Sequence, residues 1–335
     1  MKNDIIYKCI IGIINHSNLG LLKKCIHSII DNTSTKCLIT MVDNSGKETY
    51  CNTLKEDFPN IKVIKNYALS GFSQNMNILI KEYSSMGKYF LILNDDTEIL
   101  PNAIDNLISF LDENDKIAAV SPRLIFPDGS PQLSAGFFNM KKEIWRFSGL
   151  GQLFKPGHKK QLGRFLNRFL NENSGLMKYF KSFYEDKNPW ATDYISGTCM
   201  LIRSKALNDV GLLSEDYFIY SEDVDWCKRA GMKGWSVYVL PLSIVMHHQN
   251  KSMNSKVFVE REKSSLIYFS KYTQNRIMVL IYRNIIILLC TLKLIIVPLL
   301  KQKGLSKKEL ALAYIKIITI MLKPVRYSLE TDRIR

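Results

Sequence analysis

The amino-acid sequence predicts an α/β fold in which a mostly parallel sheet is flanked by helices and is followed by an amphipathic helical tail. Three observations lead to this fold class. Over the first 125 residues, short apolar runs alternate with segments whose apolar residues recur at helical spacing, a pattern typical of parallel sheets. Three of the apolar runs stop abruptly at polar clusters. Beyond residue 275, two long apolar segments contain lysine and arginine.

The elements follow in order along the chain. The predicted strands are short aliphatic, aromatic or β-branched runs, at residues 9–14, 37–42, 61–64, 89–93, 116–120, 193–203 and 235–240. The predicted helices have apolar residues three or four positions apart, at residues 18–30, 72–86, 101–111 and 255–272. Pro101 suits the first turn of its helix, because that turn does not use the N–H that proline lacks. The segment "FPDGSPQ", residues 126–132, predicts a turn.

Polar side chains cluster where three of the predicted strands end. "NHSN" (15–18) follows the first strand, "DNSG" (43–46) the second and "NDDTE" (94–98) the fourth. One interpretation is structural, because polar residues commonly end strands and begin turns. However, ligands of such sheets bind beyond the carboxyl ends of the strands, where carboxylates can also hold a metal ion. The convergence of three clusters therefore favours a binding site.

Composition and charge limit the class of protein, its compartment and its partners. Of the 335 residues, 46% are hydrophobic and 23% are charged, which predicts a globular core. Seven cysteines without zinc-ligand spacing favour a reducing compartment. The net charge of +15 is uneven: residues 141–190 carry 11 lysines and arginines against 4 acids, and residues 276–335 carry 12 against 3. Basic segments of this kind indicate an anionic membrane or a phosphate-bearing substrate. Without a recognisable nucleic-acid-binding motif, no nucleic-acid partner is expected.

This distribution predicts two parts of the chain, a domain at residues 1–275 and a basic amphipathic tail at 276–335. Residues 141–190 are interpreted as a basic insertion in the first part. The tail segment 277–300 is long enough to span a bilayer, but it contains two bases. We therefore expect it to lie in the membrane interface. Packing on the protein body and a true span are the alternatives.

Two further polar groups occur late in the chain. "SEDVDW" (221–226) places Glu222, Asp223 and Asp225 together, where a carboxylate could cap a helix or take part in chemistry. His247 and His248 follow the apolar run "LSIVM". A single histidine is usually structural, but the acids, the histidines and the strand-end clusters together favour a catalytic site.

These segments resemble the inverting glycosyltransferases of family 2, which have the Rossmann-like GT-A fold, and within them the rhamnosyltransferase-like enzymes of bacterial surface-polysaccharide synthesis. The matching segments occur in the family's order between about residues 8 and 272: "IIGIINHSN", "MVDNSG", "NYALSGFSQNMN", "LILNDDT", "WATDYISGTCMLIR", "FIYSEDVDWCKR" and "VMHHQNKS". The last two, at their spacing, are the most specific. The chain departs from the family at His16-Ser17, where Tyr-Asn is common, and at Asn94, where aspartate is usual.

The resemblance implies a role for each segment. Asp223 would be the general base on the acceptor hydroxyl, and Glu222 would orient it or contact the acceptor. Asp96 and His247 would hold a divalent cation, Mg²⁺ or Mn²⁺. The donor nucleotide and its diphosphate would be bound by Asn15, His16, Asp43, Asn44, Gly71, Asn77, Asn94 and Asp95. The acceptor side would be formed by Trp190, Ser196, Gly197, Thr198 and Tyr220, with residues 141–190 as a possible further acceptor-side segment.

The implied function is inverting, metal-dependent transfer of a sugar from a nucleoside-diphosphate sugar in bacterial O-antigen or capsule synthesis. The first expectation for the donor is dTDP-rhamnose, and the alternative is a UDP-hexose such as UDP-galactose, UDP-glucose or UDP-N-acetylglucosamine. The acceptor is expected to be an oligosaccharide or a polyprenyl-diphosphate-linked glycan. With the tail, this acceptor would place the enzyme peripherally on the cytoplasmic face of the bacterial inner membrane.

Other interpretations stay open. The sequence has no Gln-x-x-Arg-Trp motif of the processive synthases, which favours a single addition. A non-catalytic nucleotide-sugar-binding protein, a membrane scaffold and a metal-dependent nucleotide-sugar hydrolase are the alternatives from other classes. The sequence does not predict an oligomeric state.

Overall fold

The computed structural model describes residues 5–15, 18–46, 48–68, 70–136, 187–248, 255–273, 275–297 and 306–325. His16 and most of the predicted basic insertion at 141–190 lie outside the described residues. The chain divides into two compact units. The first contains the described residues up to 136 together with 187–218 and 222–248, and the second contains 219–221 and the described residues from 255 onwards.

The described strands all belong to the first unit. The predicted ones lie close to their expected positions, and the short strands at 97–99, 131–132, 135–136 and 190–192 were not predicted. In chain order, the strands are β1 (Tyr7–Asn15), β2 (Cys37–Asp43), β3 (Lys62–Lys65), β4 (Gly87–Asn94), β5 (Thr97–Ile99), β6 (Ile117–Ile125), β7 (Pro131–Gln132), β8 (Ala135–Gly136), β9 (Trp190–Thr192), β10 (Tyr194–Ile195), β11 (Cys199–Arg203) and β12 (Ser236–His247).

Ten of these strands form one mixed sheet in the order β3-β2-β1-β4-β11-β6-β12-β5, with β7 paired to β6 and β9 to β12. The pairs β3–β2, β2–β1, β1–β4 and β6–β12 are parallel. In the centre, β11 runs antiparallel to both β4 and β6, so the sheet is less parallel than the sequence predicted. The single strand predicted at 193–203 is divided, because residues 196–198 form a loop between β10 and β11.

The described helices include the predicted ones in order, together with two at 48–57 and 204–210 that the sequence did not predict. The helices are α1 (Leu19–Asn32), α2 (Glu48–Asp57), α3 (Phe72–Tyr83), α4 (Ala103–Glu113), α5 (Ser204–Val210), α6 (Glu222–Met232), α7 (Ser255–Tyr272), α8 (Arg276–Ile296) and α9 (Lys307–Leu322). Helix α4 begins two residues later than predicted, because Asn102 adopts a left-handed conformation with φ of 61° before the first helical residue.

Helices cover the two faces of the sheet. In β1 the buried run "CIIGII" is typical of a strand that is covered on both faces, and successive residues point to opposite sides. Ile11 and Ile13 pack in a core that includes residues of α1 and α4. On the other face, Gly12 lies against Phe90 and against Met76 of α3. Since helices occupy the faces, the polar residues that end the strands lie along the edge of the sheet.

In the described part of the second unit, three helices surround one apolar core. Leu266 and Phe269 of α7, Tyr282 and Ile286 of α8, and Tyr314 of α9 belong to this core. Helix α7, which the sequence placed in the domain at 1–275, thus packs with the tail helices.

Helix α8 has two different sides. Its buried residues Tyr282, Ile286 and Cys290 recur every fourth position. The large apolar side chains that it exposes are Ile277, Leu280, Ile281, Leu288, Leu292, Ile295 and Ile296. By length and composition, this 21-residue helix is long and apolar enough to cross a membrane.

Candidate active site

Three strand ends meet at one edge of the first unit. Strands β1 and β2 are parallel, with Asn15 opposite Asp43, and Ile14 of β1 lies opposite Asn94 at the end of β4. The strand ends at Asn15, Asp43 and Asn94 therefore lie side by side. This carboxyl edge is where α/β sheets bind their ligands.

Asp43 is buried and is held in place by hydrogen bonds to Oδ1. The Asn15 Nδ2 atom donates over 3.0 Å, and the backbone N–H of Ser45 donates over 3.1 Å. Asn15 is itself fully buried, and its Oδ1 has no hydrogen-bond partner among the described residues. An orphaned buried acceptor is costly, and it marks a position where a ligand donor or a water would be bound.

A network of asparagine amides, which the sequence analysis missed, supports the next residue, Asn44. Its Nδ2 donates to the carbonyls of Asn66 and Ala68, over 3.0 and 2.8 Å. Its Oδ1 accepts a hydrogen bond from Asn75 Nδ2, and Asn66 Nδ2 donates to Asn75 Oδ1. Asn66 directly follows β3, so the rule that polar residues at strand ends form the site could have identified it.

Gly71 is required by a close backbone approach. The Phe72 N–H donates to the Phe218 carbonyl over 2.8 Å, and a Cβ added at Gly71 would lie 2.4 Å from that same oxygen. The predicted donor residue Asn77 is also used internally. Its Nδ2 donates to the Leu213 carbonyl and to Glu215 Oε1, and its Oδ1 accepts from the Leu213 N–H. These bonds give Asn77 a structural role in holding the 213–215 segment rather than a free amide for the nucleotide.

The acidic turn after β4 lies against the histidines at the end of β12. Strand β12 pairs antiparallel with β5, with His247 opposite Thr97. The His247 Nε2 atom lies 3.0 Å from Asp96 Oδ1, and the His248 N–H donates to the Asp96 carbonyl over 2.9 Å. The fold therefore brings together the two residues that the sequence proposed as metal ligands. His248 instead pairs with Glu98, at 2.6 Å between Nε2 and Oε1.

The Asp96–His247 pair offers a partial set of metal ligands. Among the described residues, no group of three or more histidine, cysteine or acidic side chains is arranged to hold a metal ion. Nucleotide-dependent enzymes commonly bind Mg²⁺ through one or two protein ligands plus the phosphates of the substrate. One carboxylate and one imidazole fit that arrangement and suit Mn²⁺ as well. Asn94 and Asp95 lie half-buried in the same turn.

Cys25 of α1 is buried directly beneath this turn. Its Sγ lies 3.6 Å from the Asn94 carbonyl oxygen and 3.5 Å from Thr97 Oγ1. Burial raises the pKa of the Cys25 thiol to about 12, with a further contribution from the negative charges of Asp95 and Asp96. The thiol is therefore protonated and unreactive at neutral pH while the turn stays closed.

Asp223 is fixed at the first turn of α6. Its Oδ2 accepts a hydrogen bond from the Gly197 N–H over 2.9 Å, and its Oδ1 accepts from the Val224 N–H over 2.8 Å. Burial raises the pKa of Asp223, while these backbone donors counteract part of that rise. The first of them belongs to the 196–198 loop, so the proposed base and three of the proposed acceptor-side residues are directly connected.

The environment of Glu222 differs from that of Asp223, because one of its oxygens has no hydrogen-bond donor among the described residues. Its side chain is buried, and Oε2 has no hydrogen-bond partner among the described residues. Burial and the adjacent charge of Asp223 raise the pKa of Glu222 well above its ordinary value. Asp223 accepts from the backbone N–H groups of Gly197 and Val224, whereas Glu222 Oε2 has no such donor among the described residues, so the negative charge is better stabilised on Asp223 than on Glu222.

The third acid of α6 is structural. Asp225 is fully buried and forms an ion pair with Arg229 at 2.7 Å, while the Tyr217 hydroxyl donates to its Oδ1 over 3.2 Å. Arg229 also donates to the carbonyls of Val210 and Leu212. These contacts satisfy the Asp225 carboxylate within the fold.

The proposed acceptor-side residues are distributed unevenly. The Ser196 and Thr198 hydroxyls lie 3.0 Å apart, beside Gly197 in the loop that contacts Asp223. Trp190 lies opposite Val239, in the first half of β12, so the strand register does not bring it to the Asp96–His247 edge. Tyr220 lies two residues before the start of α6, with φ of 67° and an exposed side chain.

A mixed sheet flanked by helices, with acids and amides gathered at the carboxyl ends of its strands, defines the GT-A class of glycosyltransferases. One solved structure with this fold is GalNAc-T7 with UDP, GalNAc and Mn²⁺, at a TM-score of 0.56 and 15% identity. The match covers 81% of this chain and 49% of the neighbour, about half of its length. A second is the mannosyltransferase PcManGT from Pyrobaculum calidifontis in complex with GDP-Man and Mn²⁺, at a TM-score of 0.53 and 13% identity over 95% of this chain and 86% of that one.

The chain belongs to glycosyl transferase family 2, which matches residues 10–211. Residues 169–263 also match the glycosyltransferase like family 2. The chain is 26% identical to the N-acetylglucosaminyl-diphospho-decaprenol L-rhamnosyltransferase of Mycobacterium tuberculosis, over 69% of this chain and 73% of the relative. It is 31% identical to the rhamnosyltransferase WbbL of Escherichia coli K12, over 27% of this chain and 34% of that relative. The protein is a glycosyltransferase of the hexosyltransferase type.

Proposed function

We propose that this protein is an inverting, metal-dependent glycosyltransferase that moves a sugar from a nucleoside-diphosphate sugar to a polyprenyl-diphosphate-linked glycan in bacterial surface-polysaccharide synthesis. The observation that carries the proposal is the pairing, at the start of α6, of a hydrogen-bonded Asp223 carboxylate with a buried Glu222 whose Oε2 has no hydrogen-bond partner among the described residues. The first expectation for the donor, dTDP-rhamnose, is supported by the two rhamnosyltransferase relatives. A UDP-hexose is the alternative.

In the proposed reaction, Asp223 accepts the proton of the acceptor hydroxyl. The acceptor oxygen forms a bond to the anomeric carbon of the donor while the bond from that carbon to the diphosphate oxygen breaks on the opposite face. The configuration at the anomeric carbon is thereby inverted, and the nucleoside diphosphate leaves with the electron pair. A raised pKa makes Asp223 a stronger base, and the Gly197 and Val224 N–H groups keep its carboxylate oriented.

Asp96 and His247 would hold the divalent cation at the turn between β4 and β5. A cation bound there would neutralise the charge that develops on the departing diphosphate. At the β2 end, Asp43 would accept a hydrogen bond from the imide N–H of a thymine or uracil base. Asn15 Oδ1, which has no partner among the described residues, offers a further acceptor nearby. Both dTDP and UDP carry such an imide, so this contact fits either donor.

The release of nucleoside diphosphate tests the proposal. Purified protein with Mn²⁺ should release dTDP from dTDP-rhamnose, or UDP from a UDP-hexose, only when a polyprenyl-diphosphate-linked acceptor is added. Equal release without an acceptor would identify a nucleotide-sugar hydrolase instead. Binding of the nucleotide without any release, over a panel of donors and acceptors, would indicate a non-catalytic binding protein.

We further propose that the tail at 276–335 holds the enzyme on the anionic cytoplasmic face of the inner membrane. Helix α8 exposes a row of large apolar side chains, and α9 exposes Leu312, Ile315 and Leu322. The exposed bases Lys308, Lys316 and Lys323 lie on or next to α9. Apolar side chains beside bases suit a lipid interface, where each base contributes on the order of 1 kcal/mol.

Flotation with liposomes tests the membrane proposal. Reversing the charge of Lys308, Lys316 and Lys323 to glutamate should abolish flotation with anionic vesicles at low salt. A matched control reverses three exposed lysines of the first unit, Lys24, Lys55 and Lys81, and should still float. Equal flotation of both variants would contradict binding through α9.

A further inference from the structure

The segment "FPDGSPQ" forms a tightly bonded hairpin. The Phe126 N–H donates to the Ser130 carbonyl and the Gly129 N–H to the Phe126 carbonyl, each over 2.8 Å. Gly129 takes a positive φ of 76°, which glycine adopts without strain. The Asp128 carboxylate accepts from both the backbone and the hydroxyl of Ser130. These bonds fix the direction in which the chain enters β7, where Gln132 lies.

The strand pairing places Gln132 close to the proposed metal ligands Asp96 and His247. Strand β7 pairs antiparallel with β6, with Gln132 opposite Leu124. Strand β6 runs parallel to β12, with Ile125 opposite Met246. Ile125 follows Leu124 in β6, and His247 follows Met246 in β12. Gln132 and His247 therefore lie at the same end of β6, and the Gln132 side chain reaches His247 across that strand.

The contact involves the ring nitrogen of His247 that faces away from Asp96. Gln132 Oε1 lies 3.0 Å from His247 Nδ1, and His247 Nε2 lies 3.0 Å from Asp96 Oδ1. His247 is buried and Gln132 is half-buried, so the imidazole is held between the two side chains. An imidazole that binds a metal through Nε2 carries its proton on Nδ1, and that proton needs an acceptor.

We propose that Gln132 is a positioning residue for His247: its Oε1 accepts the Nδ1–H, which fixes the ring orientation and leaves Nε2 directed at the cation beside Asp96. The inference rests on the metal site of the proposed function and adds a residue to it. Outer partners of this kind typically change metal affinity by about 10- to 100-fold when they are removed.

Substitutions at Gln132 can distinguish a role in positioning His247 from a role in packing alone. Glutamine and glutamate both place an acceptor oxygen at the same distance from the backbone, whereas methionine fills a similar volume without one. A role in packing alone would tolerate Gln132→Met and would suffer from the buried charge of Gln132→Glu. The positioning role reverses that order. Leu133, the next residue, has a side chain that is 48% exposed, so Leu133→Ala is a matched control in the same segment.

Mn²⁺ binding to the full chain, measured by electron paramagnetic resonance with saturating dTDP and separately with UDP, tests the inference. Gln132→Met should weaken Mn²⁺ binding about 10- to 100-fold, whereas Gln132→Glu and Leu133→Ala should bind at least as tightly as wild type. A second readout is the ¹⁵N spectrum of histidine-labelled protein with Mg²⁺ and the nucleotide. His247, assigned with His247→Gln, should be protonated at Nδ1 in wild type and should lose this preference in Gln132→Met.

The outcomes distinguish this inference from the proposed function. If wild type and Asp96→Ala bind Mn²⁺ equally weakly, the metal site is wrong and Gln132 has no cation to serve. If wild type binds, Asp96→Ala does not and Gln132→Met binds like wild type, only the role of Gln132 is overturned. A larger loss of Mn²⁺ binding in Gln132→Glu than in Gln132→Met, with a matching fall in unfolding temperature, would assign Gln132 to packing.

Discussion

The two ends of the candidate site use buried acids in different ways. At the β2 end, Asp43 receives donors from Asn15 and from the Ser45 backbone, and the adjacent Asn44 belongs to an amide network. At the start of α6, Asp223 receives only backbone donors, and Glu222 has a buried oxygen without a partner among the described residues. In the proposed function, the first arrangement fixes groups that recognise the nucleotide. The second favours the negative charge on Asp223, which would accept the proton of the acceptor.

The largest expected effect is at the α6 end. Asp223→Asn keeps the shape of the side chain but removes its basicity, so sugar transfer should slow by at least ~10²-fold, the usual scale of general base catalysis. Binding of dTDP or UDP, measured by calorimetry, should stay close to wild type. Near-normal turnover by this variant would assign the base to another residue and end the contrast between the two ends.

A smaller effect, on binding rather than turnover, is expected at the β2 end. Asp43→Asn removes a charged acceptor for the base imide, a loss of about 1.5–3 kcal/mol, or roughly 10- to 100-fold in nucleotide affinity. Turnover at saturating donor should change little. The exposed Asp31→Asn serves as the control and should bind nucleotide like wild type. If Asp43→Asn reduces turnover as strongly as Asp223→Asn, the two ends do not differ as described.

The close contact between Gly71, just before α3, and the Phe218 backbone can be tested by measuring the free energy of unfolding. Gly71→Ala would drive a Cβ into the Phe218 backbone, which cannot rotate away as a side chain can. We expect the free energy of unfolding to fall by about 1–3 kcal/mol in urea denaturation. Gly231→Ala in α6 is the control, because a Cβ there meets no atom within 4 Å and alanine favours the helix. Equal stability of the two variants would contradict the close approach.

The smallest effect concerns Glu222. Since its pKa is raised in the folded protein, the folded state holds more protons than the unfolded state above pH 4.5, the ordinary value for glutamate. The free energy of unfolding should therefore fall as the pH rises from 4.5 towards that raised pKa. Glu222→Gln should remove this slope and change transfer little, because glutamine resembles the neutral acid. Exposed Glu113→Gln should retain the slope. A wild-type slope in Glu222→Gln would contradict the protonated glutamate.

The sequence predicted the strand ends that depend on local pattern. Strand ends at Asn15, Asp43 and Asn94 follow from short apolar runs and their polar terminators, because adjacent parallel strands end at the same edge. The antiparallel direction of β11 could not be predicted, since a strand's own residues do not encode the path by which the chain enters the sheet. The break at 196–198 was missed for the same reason, as the loop is held by Asp223 and by the Ser134 carbonyl.

Residues that act through distant partners were also missed. Asn75 is polar and lies in a helix, and its importance comes from Asn44, 31 positions earlier. Gln132 lies 115 positions before His247, and nothing in "FPDGSPQ" indicates a histidine partner. The partners of Asn77, which the sequence predicts as a donor contact, were missed in the same way, because its amide donates to residues 213 and 215, 136 and 138 positions later.

The buried thiol of Cys25 makes the acidic turn accessible to a direct kinetic measurement. Because Sγ lies beneath Asn94 and Thr97, a water-soluble alkylating reagent can reach it only when the turn or α1 moves away. The rate of modification in native protein thus reports the population of the open state, as amide exchange does for a backbone N–H. If a nucleotide and a divalent cation hold the turn closed, they should slow that reaction without any change to the reagent or the pH. The wild-type chain therefore carries its own probe of local opening at the edge where the donor is proposed to bind.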